Sequence, residues 1–163
     1  MMIFEEADGM ELVDDERITL WGLLLEVQYL VGKRLAADLV DAFEYPESFM
    51  EVLLRIARTP GQAVPMTRLA DMVMFSSGGL SKLADRMEAE GLIARMACPT
   101  DRRSSLATLT PKGRKVLDRA LAAHLPSLDR HLVELLDDDE RRQLASILRK
   151  VRDGSCALEP MDG

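Results

Sequence analysis

Between Leu69 and Lys115 the chain gathers groups suited to holding a polyanion. If Leu80, Leu83 and Met87 turn inward at helical spacing, Ser81, Lys82 and Arg86 are left facing out. A short polar tip follows, in which Asp101, Arg102 and Arg103 are adjacent. Hydroxyls and cations on an exposed helix donate hydrogen bonds to phosphates and base edges, and an arginine-tipped hairpin can enter a minor groove. The chemistry implied is recognition of duplex DNA by a helix and a basic wing. Catalysis finds no support: there is no Gly-rich phosphate loop and no nucleophile motif. Cys98 and Cys156 lack the paired spacing of a zinc site. His124 and His131 stand seven apart, about 10 Å along a helix, too far to share an ion. No metal and no cofactor is expected.

The net charge of −7 over 163 residues opposes DNA binding, but its distribution does not. From Ser76 to Arg119, nine basic residues (Lys82, Arg86, Arg95, Arg102, Arg103, Lys112, Arg114, Lys115, Arg119) face five acidic ones (Asp85, Glu88, Glu90, Asp101, Asp118). That segment is net +4, which leaves −11 for the remainder. A basic face on an acidic body discourages attachment in wrong orientations.

These groups need a scaffold, and the apolar spacing supplies one. Trp21, Leu24, Leu25, Val31, Leu35 and Leu39 predict a long helix from about Arg17 to Asp41. A second helix opens at Tyr45-Pro46-Glu47-Ser48, buries Phe49, Val52, Leu53 and Ile56, and stops at Thr59-Pro60-Gly61. A loop ends near Pro65. A short third helix spans about Met66 to Met74, Phe75-Ser76-Ser77 turns the chain, and a fourth helix runs to Glu90 with Gly91 ending it.

Leu92 to Ala97 and Ser105 to Leu109 are strand candidates flanking the polar tip. Thr110-Pro111 opens a long helix toward Leu136, which Pro126 should kink or break. Asp137 to Glu140 reads as a capping box, starting a last helix to about Arg152, with a loose tail from Gly154 to Gly163. The expected fold is mainly α with a small β-hairpin wing. Long terminal helices beside a compact reader cannot bury both faces alone, which predicts pairing with a second copy.

Leu69-Ala70-Asp71, the run Leu80-Ser81-Lys82-Leu83-Ala84-Asp85-Arg86-Met87-Glu88-Ala89-Glu90-Gly91-Leu92-Ile93-Ala94-Arg95, Asp101-Arg102-Arg103-Ser104 and Leu109-Thr110-Pro111-Lys112-Gly113-Arg114 resemble the MarR family of bacterial transcriptional regulators. The resemblance is close over about 50 residues and extends to helix order in the flanks. It implies one winged helix-turn-helix domain over residues 1–163, with a core at about 45–115 and dimerisation helices at about 17–41 and 111–153. It implies a homodimer on a pseudo-palindromic operator of double-stranded DNA, most often a repressor, released by a small-molecule effector or by thiol oxidation. The family pattern maps the outer face of the recognition helix onto Ser76, Ser77, Gly79, Ser81, Lys82 and Arg86. Its Asp-x-Arg wing signature falls on Asp101 and Arg103, where Asp101 would orient an arginine through a charge-assisted bond. One departure is Gly78-Gly79 in the first helical turn, where many relatives carry a base-reading side chain. The pair either lets the backbone approach DNA or reduces base reading.

Plainer readings stand beside these. Arg102 and Arg103 could form a solvated turn, and Lys82 and Arg86 a solvated helix face; their joint occurrence favours DNA contact. Cys98, beside the wing, is either a redox switch or a small residue at a strand end. Trp21 either lines an effector cavity or packs in a core or dimer contact. A winged helix serving only as a protein-interaction module is the reading from another class. No apolar run approaches the roughly 20 residues of a membrane span. Met1 to Glu16 holds seven acidic and no basic residues, the reverse of a secretory signal. A cytoplasmic protein with no membrane partner is expected.

Overall fold

A computed structural model describes residues 12–40, 42–73, 75–97 and 105–156. The elements in order are α1 (Glu16–Leu39), α2 (Glu47–Arg58), a 3-10 turn (Pro60–Gln62), β1 (Ala63–Pro65), α3 (Met66–Met72), α4 (Ser77–Ala89), β2 (Ile93–Ala97), β3 (Ser105–Leu109), α5 (Pro111–His131), a second 3-10 turn (Val133–Leu135) and α6 (Asp138–Cys156). The chain forms two compact units, residues 36–126 and residues 1–35 with 127–163. The boundaries fall inside α1 and at Pro126 within α5.

The unit of residues 36–126 holds the core. Phe49, Val52, Leu53 and Ile56 of α2, Val64 of β1, Leu69 of α3, Leu80 and Met87 of α4, Leu92, Ile93 and Leu117 are essentially sealed from solvent. Those of α2 and α4 come from the apolar stripes that the spacing predicts, while Val64, Leu69 and Leu117 join the same cluster from elements whose buried faces the spacing does not announce. The sheet is antiparallel in the order β1-β3-β2, with Val64 opposite Ala107 and Arg95 also opposite Ala107 on the other side. β1 is the strand that the sequence reading leaves in a loop. It is three residues long, and Pro65 suits its edge position.

The unit of residues 1–35 and 127–163 contrasts with this. Ile18, Leu20, Trp21, Leu23, Leu24, Leu25, Val27, Tyr29 and Leu30 of α1 are exposed, as are Ile147, Leu148 and Val151 of α6. The capping box at α6 is complete: Asp137 Oδ1 accepts from the backbone N–H groups of Asp139 (2.8 Å) and Glu140 (2.9 Å), and Glu140 Oε2 accepts from that of Asp137 (2.8 Å).

Two boundary expectations are corrected. Pro126 does not end α5, which continues to His131 before the Val133–Leu135 turn; the proline forfeits one backbone bond, and its ring stands exposed. The last helix runs through Gly154 to Cys156, because one glycine costs only about 1 kcal/mol; within it the Ser155 hydroxyl donates back to the Val151 carbonyl (2.9 Å). No helix among the described residues is long and apolar enough to cross a membrane.

Candidate nucleic-acid interface

The helix-turn-helix is built from α3 and α4. Ser76, in extended conformation, is the N-cap of α4, and its Oγ accepts from the Gly79 N–H at 3.1 Å. Ser76 therefore serves the helix start as well as any partner. Ser77 is the first residue of α4. Leu80, Leu83, Ala84 and Met87 anchor one face in the core, and Ser81, Lys82 and Arg86 are exposed on the others, as the spacing predicts.

Arg86 has a neighbour that the sequence does not announce. Its guanidinium carbon lies 5.4 Å from the centroid of Phe49. Tyr45 stacks on Phe49 at 5.6 Å with an interplanar angle of 13°, and Phe43 meets Tyr45 edge-on at 5.7 Å. Phe43 and Tyr45 also line a hollow of about 280 Å³ with Val40, Glu44, Val116 and Arg119.

The far end of α4 is closed by a Schellman arrangement. Gly91, at φ +67°, donates to the Glu88 carbonyl (2.8 Å), and Leu92 donates to that of Met87 (2.9 Å). The start of α5 clasps the same corner. Thr110 Oγ1 donates toward the carbonyls of Gly91 (2.7 Å) and Leu92 (3.1 Å) and accepts from the Gly113 N–H (2.9 Å), while Lys112 Nζ donates to the Glu90 carbonyl (2.6 Å). Thr110 is thus the helix cap that the sequence predicts, and its hydroxyl also holds the corner between α4 and β2.

Arg95 of β2 has a structural role that local reasoning misses. Its Nε donates to Glu88 (2.8 Å), its terminal nitrogen reaches Asp85, and its backbone N–H donates to Glu88 as well (3.1 Å). The hydrogen bonds from Arg95 hold the Glu88 carboxyl below its ordinary range, and those from Glu88 and Asp85 raise Arg95. Counted in sequence as one cation of the basic segment, Arg95 is instead committed to two carboxylates that tie the wing strand to the recognition helix. Asp85 and Glu88, three apart on one helix, are its only sequence signal.

Asp101, Arg102, Arg103 and Cys98 lie outside the described residues. Trp21 is on α1 with 61% exposure. Among the described residues no group of three His, Cys, Asp or Glu side chains could hold a metal ion.

The profile of the MarR family matches residues 50–104. An uncharacterized HTH-type transcriptional regulator of Bacillus cereus is 30% identical over 120 residues, 74% of this chain and 78% of that one. AbsC, a MarR family transcriptional regulator from Streptomyces coelicolor, superposes with a TM-score of 0.76 at 29% identity, covering 88% of this chain and 96% of that one. Sco3205, a MarR family regulator from the same organism solved in complex with DNA, gives 0.76 at 27% identity with 91% of each chain covered. With the paired α3 and α4, the three-stranded wing sheet and this extent of similarity, the chain belongs to the MarR family of winged helix-turn-helix transcriptional regulators, and its work is regulation rather than enzymatic turnover.

Proposed function

We propose that the chain is a homodimeric, cytoplasmic repressor that binds a pseudo-palindromic operator and is released by a small molecule. The observation that carries the DNA-facing part is the division of α4. Leu80, Leu83, Ala84 and Met87 are sealed in the core, so Ser81 and Lys82 are held outward on a helix fixed at both ends. Ser76, Ser77, Gly79, Ser81, Lys82 and Arg86 supply the major-groove face, and Asp101, Arg102 and Arg103 the minor-groove wing. DNA binding by the similar Sco3205 supports this reading.

The homodimer is supported by α1. A helical stretch whose only charge between Ile18 and Gly32 is Glu26 belongs in an interior, yet Leu20, Trp21, Leu24, Leu25 and Leu30 are exposed in the single chain. A second copy presenting the same helices would cover them, and both units then act as one domain within each subunit. The hollow beside Tyr45 supports effector control, because its aromatic wall continues through Phe49 to Arg86 of α4.

Fluorescence anisotropy on duplex from the gene's own upstream region, titrated across salt and repeated with Arg103→Ala, tests the reading. Selective binding that weakens steeply with salt and with the substitution is expected. Equal, feeble binding to that region and to random duplex would defeat it.

A further inference from the structure

Two glycines open α4, and the fold needs only one of them. Gly79 donates the capping bond to Ser76, and a Cβ built there would stand 3.0 Å from Ser76 Oγ and 3.5 Å from the Phe75 ring, so a side chain would press on the cap. Gly78 has no such reason. Its backbone is not in the positive-φ region, it is exposed, and among the described residues no heavy atom lies within 4 Å of the Cβ position. An alanine would fit without strain and would strengthen the helix by reducing the freedom of the unfolded chain.

Gly78 also has a telling position. It precedes Ser81 and Lys82 by three and four residues, which places it on the same outward face one turn nearer the helix start. A glycine that the fold does not demand, on the face that carries the candidate DNA contacts, marks a place where another molecule comes too near for a side chain. The geometry points to Gly78 as the residue against which the DNA packs: duplex atoms approach its Cα directly, and the missing Cβ sets how deeply α4 enters the groove. Specificity at that point is steric, with a bare backbone admitting a depth that any side chain would forbid. The inference rests on the reading of α4 as the DNA-facing helix, and it assigns a role to the glycine of the pair that the family pattern leaves aside.

The test compares Gly78→Ala and Gly78→Leu with Gly79→Ala and Lys82→Ala in the full chain, by thermal melting and by anisotropy on a duplex that the wild-type protein selects from a random pool. Gly78→Ala should raise Tm by about 2 °C while weakening binding roughly tenfold, with Gly78→Leu weaker again. The salt dependence of both Gly78 variants should match wild type, because no charge is lost, whereas Lys82→Ala should flatten it. Gly79→Ala should lower Tm. Wild-type affinity in both Gly78 variants would overturn the inference and leave the DNA-binding reading intact. A fall in Tm for Gly78→Ala would also overturn it, since the fold would then need the glycine. Failure of the wild-type protein to bind or select any duplex would overturn both.

Discussion

A Cβ built on Gly113 would stand 1.9 Å from the carbonyl oxygen of Leu92. The first turn of α5 therefore lies directly on the backbone where α4 ends and β2 begins, a contact that only glycine permits. Gly113→Ala must push these elements apart and should cost about 3 kcal/mol. Urea unfolding monitored by circular dichroism measures it, and an unchanged midpoint would contradict the geometry.

The link from Arg95 to Glu88 and Asp85 sets a pH dependence. Glu88 has a folded-state pKa below its ordinary 4.5, so its contribution to stability is complete above that value and lost as pH falls through the folded pKa. Arg95→Gln should therefore melt lower than wild type near neutral pH, with the difference closing on acidification below 4.5. The exposure of the carboxylates keeps the neutral-pH effect to about 1 kcal/mol or less. A gap that stays constant down to strongly acidic pH would show that Glu88 is not the partner that matters.

Trp21 is the chain's single tryptophan and is 61% exposed in one copy. Association through α1 should bury it, giving blue-shifted emission that moves to longer wavelength on dilution. Leu24→Glu should hold the red-shifted form at every concentration and sediment as a monomer. A dimeric Leu24→Glu protein would place the subunit contact elsewhere.

Lys82→Ala and Arg103→Ala should each reduce the slope of log affinity against log salt by about 1.8 for the dimer, the signature of one lost cation–phosphate contact in each subunit. Slopes identical to wild type would remove these residues from the backbone contacts.

Features set by neighbours along the chain were legible in the sequence. Gly91 as a helix stop, Thr110 as a cap and the Asp137 to Glu140 box each depend on a few consecutive residues, and all three have the expected bonds. Features that depend on distant partners were not. β1 has too few residues for a period and exists through its pairing with β3, more than 40 positions away. Arg95 looked like one more cation because its carboxylates belong to another element. Pro126 does not break its helix, because a proline's local cost does not say whether the surrounding helix can absorb it. In the candidate site, outward and inward faces of α4 followed from spacing, whereas the seat of Arg86 on Phe49 required the fold.

The commitment of Arg95 to Asp85 and Glu88 has a consequence for how α4 meets a polyanion. Its opening turns carry Lys82 and the outward-pointing N–H ends that give a helix start its positive pole. Its closing turns carry Asp85 and Glu88, followed by Glu90 at the C-cap, against the shared charge of Arg95, the seated charge of Arg86 and the Lys112 ammonium on the Glu90 carbonyl. The helix is thus electrically graded along its length, like a compass needle with one attracted and one indifferent pole. A duplex drawn to it would meet the Ser76 end first, so insertion by the tip is favoured over lying flat along the groove.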